Sequence, residues 1–129
     1  MKEFNWDIHL VSDKGKNKDC SFHNAMCDAH THGLDQYGSL EIQFVLEYPP
    51  AAIGYILNAI AESIKEGLRL EDGDYITGIC DDDAALKVYK TTDCFGYPIF
   101  RLIMPDAEMK YPEESTEYPY NMQYSSPYL

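Results

Sequence analysis

Five side chains of the types that bind metal ions lie close together near the start of the chain. They are Cys20, His23, Cys27, His30 and His32. Thiolate and imidazole together favour zinc, which takes about four such ligands tetrahedrally. The spacing C-x2-H-x3-C-x2-H matches structural zinc sites only loosely, since those usually pair two short motifs some distance apart. The alternative, which the pattern favours, is that the histidines are hydrogen-bonded strand residues and the cysteines are small apolar core residues.

Within this cluster, residues 28–32 have the spacing Asp-x-His-x-His. This resembles the start of the active site in metal-dependent amidohydrolases. The resemblance implies a (β/α)8 barrel of about 250 residues, with further ligands supplied by later strands. The chain has 129 residues and no histidine after His32. Its length and its histidine content both exclude an amidohydrolase of this kind.

Other catalytic motifs are scarce. The sequence has no G-x-S-x-G elbow, no G-x-x-x-x-G-K-[ST] loop and no G-x-G-x-x-G turn. Cys27 could pair with His30 or His32 as a thiol nucleophile. Its neighbours are Asp28 and apolar residues, which disfavour the thiolate. The sequence therefore indicates a protein that is not an enzyme, with a small metal-dependent hydrolase as the alternative.

A sheet must position these side chains, because short strand-like runs dominate the chain. The sequence predicts strands at 4–11, 27–34, 40–47, 75–79, 85–90 and 98–104, several of them from period-two alternation. A hairpin is expected between 27–34 and 40–47. On the first of these strands His30 and His32 point to the same face and could coordinate one ion together.

One helix is predicted over about residues 50–66. Pro49 and Pro50 precede it, and proline is tolerated in the first turn of a helix. Gly67 is suited to end it in the left-handed conformation. One buried stripe is expected at Ile53, Ile56, Leu57, Ile60 and Ile64. The predicted fold is an α+β domain over residues 1–104, a mostly antiparallel sheet of five to six strands with this one main helix packed on it.

The C-terminal tail, residues 105–129, is rich in tyrosine, proline and acidic residues. Prolines favour an extended backbone. Disordered tails are usually poor in aromatic residues, so this tail is predicted to dock, on its own domain or on a second copy as a homodimer. A frayed terminus is the alternative. The candidate binding residues are Tyr111, Tyr118, Tyr120, Tyr124 and Tyr128.

Charge is the strongest signal in the composition. Twenty-two acidic residues oppose ten basic ones, for a formal net charge of -12. Such a chain is expected to be repelled by nucleic acid and by anionic membranes and attracted to a basic partner. A simpler interpretation is that the charge keeps the protein soluble.

No apolar run approaches the length of a membrane span, and the N-terminus lacks the apolar stretch of a signal peptide. A cytoplasmic location is therefore predicted, in which the four cysteines remain thiols.

Several short motifs in residues 27–104 follow a familiar order. They are T-x-G-L at 31–34, the turn Gly38-Ser39-Leu40-Glu41-Ile42, the helix core Leu57-Asn58-Ala59-Ile60-Ala61-Glu62, and L-x-x-G-D at 70–74. In this order the chain resembles a bacterial family of uncharacterised proteins, domain-of-unknown-function family 4262. The His-Pro usual in that family's turn is missing here. A weaker likeness links the chain to suppressor-of-fused-like domains, which are binding modules and in bacteria often immunity proteins.

The resemblance brings no established activity or catalytic residue to this chain. Together with the charge and the tyrosines, it favours a non-catalytic protein-binding module, of the immunity type, with a basic partner and no cofactor. The alternative is a zinc-binding protein or small metal-dependent hydrolase built on the Cys/His cluster of residues 20–32.

Overall fold

A computed structural model describes residues 5–12, 21–80 and 83–129. Its regular elements are β1 (Asp7–Val11), β2 (Met26–His32), β3 (Glu41–Leu46), α1 (Pro50–Lys65), β4 (Tyr75–Ile76), β5 (Leu86–Thr92) and β6 (Pro98–Ile103). Short 3₁₀ helices form at Leu34–Tyr37 and Tyr120–Met122. The predicted α+β fold is confirmed: in the described residues, one α-helix packs on a six-stranded, mostly antiparallel sheet. Cys27, Cys80 and Cys94 are thiols, as predicted, and Cys20 lies outside the described residues.

The sheet has the strand order β1-β2-β3-β6-β5-β4. All neighbouring pairs are antiparallel except β3 and β6, which run parallel at the centre. Parallel neighbours need a crossover connection, and the segment that contains α1, β4 and β5 supplies it. The predicted hairpin forms between β2 and β3. The predicted strand at 75–79 is only two residues long and lies at the edge.

Helix α1 matches its prediction closely. All five predicted stripe residues, Ile53, Ile56, Leu57, Ile60 and Ile64, are buried. Gly67 takes φ +118°, and its N–H bonds the Ile64 carbonyl while the Leu68 N–H bonds the Ser63 carbonyl. These two bonds form the Schellman termination that glycine favours. The helix therefore ends where the sequence supplies a residue that can adopt positive φ.

The two faces of the sheet are covered differently. One face packs on α1 and includes the inward-facing side chains Cys27, Phe44, Val88 and Leu102. Side chains alternate along a strand, so their neighbours in sequence point to the other face. Part of that second face is covered by the C-terminal segment, in which Gln123 is buried and bonds both the N–H and the carbonyl of Met104. The sheet thus lies between the helix and the tail.

A tight turn anchors the start of the described chain to the middle of the fold. Gly33 has φ +116°, and a Cβ there would lie 3.2 Å from Trp6 Cα and 3.2 Å from the Asn5 carbonyl oxygen. Trp6 in turn donates from its ring nitrogen to Asn58 of α1 at 2.9 Å. Glycine at position 33 allows the backbone of residues 5 and 6 to approach this closely. In the parts of the chain that the structure describes, no helix is long and apolar enough to span a bilayer.

Candidate functional site

Strand β2 places three chemically useful side chains on the sheet face opposite α1. Asp28, His30 and His32 alternate with core residues along this strand. His9 of β1 pairs directly with His30 in the antiparallel register. Its ring stacks on that of His30 at 5.6 Å and meets His32 edge-on at 4.4 Å between centroids. Two strands therefore bring three imidazoles into mutual contact.

Asp28 is buried and accepts hydrogen bonds from three side chains. His30 Nδ1 lies 3.0 Å away, Gln43 Nε2 lies 2.9 Å away, and the Tyr128 hydroxyl donates to the second carboxylate oxygen. Burial alone would raise the pKa of Asp28, but the bonds from His30, Tyr128 and Gln43 outweigh it and hold that pKa below its usual range. Asp28 is therefore an ionised carboxylate that accepts three hydrogen bonds.

The hydrogen bond to Asp28 also determines which ring nitrogen of His30 carries the proton. An ionised carboxylate can only accept, so Nδ1 of His30 is the donor, and in the neutral ring Nε2 then holds the lone pair. The hydrogen bond to Asp28 raises the pKa of His30, against the opposing effect of burial. Nε2 of His30 lies 3.2 Å from Nε2 of His32. Asp28 thus aims one nitrogen of His30 at the neighbouring imidazole.

A buried arginine extends this network across the parallel strand pair. Arg101 is 3% exposed, and its Nε donates to Gln43 Oε1 at 2.7 Å. Its Nη1 donates to the carbonyls of Gln123 and Ser125 in the C-terminal segment, at 3.0 and 2.9 Å. The Nε2 group of the same Gln43 amide donates to Asp28. Gln43 therefore links the buried carboxylate of Asp28 to the buried guanidinium of Arg101. Hydrogen bonding of this kind offsets the desolvation of both groups.

A cavity of about 330 Å³ opens beside these groups. Its polar lining includes Asp28, His30, His32, Glu41, Asp93 and Cys94. The Glu41 carboxylate is held in place by the Thr31 hydroxyl at 2.9 Å and the Leu34 N–H at 3.1 Å. Desolvation raises the pKa of the Cys94 thiol, which disfavours a thiolate nucleophile here. The cavity thus combines three carboxylates and an imidazole pair with the apolar side chains of Pro98 and Ile99.

The rim of the cavity is the tip of the β5–β6 hairpin, where two aromatic side chains are exposed. Phe95 is 82% exposed and Tyr97 is 68% exposed. Asp93 fixes their backbone, because its Oδ1 accepts from the N–H groups of both residues at 2.9 Å. Gly96 completes the turn with φ +87° and an N–H bond to the Asp93 carbonyl at 3.0 Å. The tip is therefore an ordered turn that presents aromatic side chains to solvent.

The structure separates the predicted metal ligands. His30 and His32 are together, but Cys27 lies in the core on the opposite face, where burial, with Asp28 and Glu47 adding, raises its pKa to about 12. The backbone N–H of His23 bonds Pro127 beside the C-terminus, and Cys20 lies outside the described residues. Within residues 5–12, 21–80 and 83–129, no group of three or more His, Cys, Asp or Glu side chains is placed to hold a metal ion.

The five predicted tyrosines all form hydrogen bonds within the chain. Tyr111 bonds Ala85, Tyr118 bonds Asn24, Tyr120 bonds Tyr48, Tyr124 bonds Lys87 and Glu113, and Tyr128 bonds Asp28. The hydroxyls are thus used to attach residues 111–128 to the rest of the chain. A role of these tyrosines in binding a partner or a second copy stays a prediction.

Sequence reasoning did not identify several members of the site. The role of His9 depends on the register between β1 and β2, which residue types alone do not reveal. Arg101 could have been noticed as a charged residue within the apolar run PIFRLI. Phe95 and Tyr97 could have been noticed as aromatic residues on either side of a glycine between two strands.

The chain matches no protein-family model, no curated protein and no solved structure. The resemblance to the uncharacterised bacterial family accordingly stays a prediction, and function must be argued from the site itself.

Proposed function

We propose that this protein is a non-catalytic protein-binding module, and that it binds a basic partner through the tip of the β5–β6 hairpin and the acidic cavity beside it. The observation that carries the proposal is the exposure of Phe95, at 82%, next to the similarly exposed Tyr97 on one fixed turn. Aromatic side chains are enriched in protein interfaces and supply much of their binding energy.

The order of this turn supports the proposal. A loop that must become ordered on binding loses affinity, whereas a loop already held in one conformation does not. The two hydrogen bonds that Asp93 accepts hold residues 93–97 in one conformation without any partner. Phe95 and Tyr97 are therefore presented at a low entropic cost.

Charge supports a basic partner. The formal net charge is -12, and Asp28, Glu41 and Asp93 all line the cavity under the aromatic rim. A cationic side chain entering the cavity would meet the carboxylates of Glu41 and Asp93 and the aromatic rings of the rim, whose faces attract cations, an arrangement that favours lysine or arginine. Long-range attraction would also accelerate association at low salt.

A selection from a random peptide library displayed on phage tests the proposal with the full chain as bait. We expect the enriched peptides to contain an excess of lysine and arginine and to bind less tightly as salt rises. Phe95→Ala and Tyr97→Ala should each weaken the best peptide by about tenfold or more.

Tyr55→Ala is the matched control, because Tyr55 is 62% exposed but lies on α1. It should leave peptide binding unchanged. Enriched peptides without basic residues, or binding that tolerates both hairpin substitutions, would contradict the proposal.

A further inference from the structure

We propose that His30 and His32 form a two-nitrogen binding site for a divalent transition-metal ion of the zinc and copper class, supported by Asp28 behind His30. This site lies on one wall of the cavity that borders the proposed partner surface, but metal binding there does not depend on a protein partner. It also differs from the mixed thiol and imidazole site that the sequence suggests, because no cysteine takes part.

The spacing of the two ring nitrogens is the first argument. Nε2 of His30 and Nε2 of His32 lie 3.2 Å apart. Two imidazole nitrogens bound to one tetrahedral zinc ion at about 2.0–2.1 Å lie about 3.3 Å from each other. The i, i+2 spacing on a strand therefore sets the two nitrogens at the separation that one ion needs.

The second argument is the orientation of His30. Its Nδ1 donates to Asp28, which leaves Nε2 as the nitrogen with the free lone pair. Metal-binding histidines usually donate their other ring N–H to a carboxylate or carbonyl in this way, which fixes the ring and increases its basicity. Asp28 is itself held by Gln43 and Tyr128, so the support is rigid.

The surroundings define what kind of site this is. His9 packs against both rings. The acidic cavity lies on the open side, with room for water or another small ligand on the ion. In the described part of the chain no third His, Cys, Asp or Glu completes a metal-binding group. Two protein ligands predict an exchangeable ion, bound more weakly than in a four-ligand structural site.

Isothermal titration calorimetry of the untagged full chain with Zn²⁺ tests the inference. We expect one equivalent to bind, and Cu²⁺ to bind more tightly than Zn²⁺ because imidazole sites follow that order. Electron paramagnetic resonance of the copper form should show two coordinated imidazole nitrogens. His32→Ala should weaken binding by at least about tenfold, and Asp28→Asn by about 10–100-fold through the loss of support for His30.

His32 is exposed, so His32→Ala should fold even if Asp28→Asn does not. His23→Ala is the control, because it removes an imidazole that is not part of the His30–His32 pair, and it should bind zinc like the unmodified chain. Zinc that binds equally well to His32→Ala would overturn the inference. An unmodified chain that takes up no equivalent of either ion would overturn it as well, and the 3.2 Å contact would then be only a hydrogen bond between imidazoles.

Discussion

The carboxylate of Asp28 depends on a residue one hundred positions later in the chain. Tyr128 donates to it from the C-terminal segment, and Phe22 packs on the ring of Tyr128 at 4.6 Å between centroids. Hydrogen bonds to charged groups contribute about 1.5–3 kcal/mol, more than bonds between neutral groups. This single contact therefore links the acid of the site to the end of the chain.

We expect Tyr128→Phe to lower the free energy of unfolding by about 1–3 kcal/mol, because it leaves Asp28 with one donor fewer in a buried position. Urea denaturation followed by fluorescence measures the change. Tyr97→Phe removes a hydroxyl from an exposed ring and should change stability by less than about 0.5 kcal/mol. Equal effects of the two substitutions would show that the Tyr128 contact contributes nothing.

Asp106 gives a prediction for pH. Hydrogen bonds from the Ser115 hydroxyl at 2.6 Å and from the N–H groups of Lys110 and Glu108 hold its pKa below the usual range. A carboxyl whose folded-state pKa is lowered stabilises the protein above its unfolded-state pKa of about 3.9, and this contribution is lost as the pH falls through the folded-state value.

Asp106→Asn should therefore be less stable than the unmodified chain at pH 7, and the difference should shrink below about pH 4. Urea denaturation of both proteins at pH 7 and pH 3 measures it. Ser115→Ala removes the hydrogen bond that lowers the pKa of Asp106 most. It should also be less stable than the unmodified chain at pH 7, by a smaller amount, and this difference should shrink at pH 3. A difference that is constant between these pH values would contradict the assignment.

At the scale of elements, the helix and the β2–β3 hairpin were predictable, and the pairing at the centre of the sheet was not. Residues 50–66 have one apolar stripe, prolines at the start and Gly67 at the end, so all local signals agree with Pro50–Lys65. The centre of the sheet is different, because β3 and β6 pair in parallel across a long connection. Both are apolar runs, and such runs do not specify which strand will be their neighbour.

The site was half predictable for the same reason. The Asp-x-His-x-His spacing placed Asp28, His30 and His32 on one face of a strand, since only the local alternation is needed. Gln43 and Arg101 join the site through pairing between β2, β3 and β6. Sequence patterns record the face of a strand and predicted the β2–β3 hairpin, but they do not identify the distant partner β6, so the contribution of Arg101 to the site could not be predicted.

Two glycines should respond to alanine with opposite signs. Gly54 lies within α1, and a Cβ there would meet no atom within 4 Å. Gly54→Ala should stabilise the protein by about 0.5–1 kcal/mol, because alanine loses less backbone entropy in a helix. A rise in the melting temperature of about 2–5 °C would follow.

Gly33→Ala should destabilise the protein, since φ is +116° and the added Cβ would crowd the backbone of Asn5 and Trp6. Gly38→Ala is a matched comparison, because Gly38 also has positive φ, +77°, but open space around the Cβ position. Melting curves should rank the loss for Gly33→Ala above that for Gly38→Ala. The reverse order would contradict the close approach of Asn5 and Trp6 as the reason for glycine at position 33.

At the scale of the whole molecule, the C-terminal segment serves as a third layer. It covers the sheet face on which Arg101 and Gln43 lie, and it supplies two carbonyl acceptors to the buried guanidinium. A chain that ends at Asp106 loses both carbonyl acceptors. The buried guanidinium of Arg101 then lacks two of its hydrogen bonds. Removing one side of a buried polar network costs about 1–3 kcal/mol for each group left unsatisfied, and more for charged groups.

We therefore expect the chain that ends at Asp106 to melt at a lower temperature than the full chain. Circular dichroism and size-exclusion chromatography measure melting and size. A chain that lacks only Leu129, whose side chain is 79% exposed and whose N–H bonds the Ser21 carbonyl at 2.9 Å, is the control and should lose much less stability than the chain that ends at Asp106. Unchanged melting after loss of residues 107–129 would show that the tail contributes no stability.

The parallel pairing of β3 with β6 also determines when the molecule can fold during its synthesis. Gln43 and Arg101, which face each other across this pair, are 58 residues apart. The hairpin of β2 and β3 leaves the ribosome first, and the growing chain must then expose one apolar strand edge until the second hairpin arrives. Such distant pairings are slow to form, and incomplete chains aggregate through unpaired strand edges. Chaperone protection of nascent chains should therefore be needed most in the interval between the exit of residue 46 from the ribosome and the exit of residue 103.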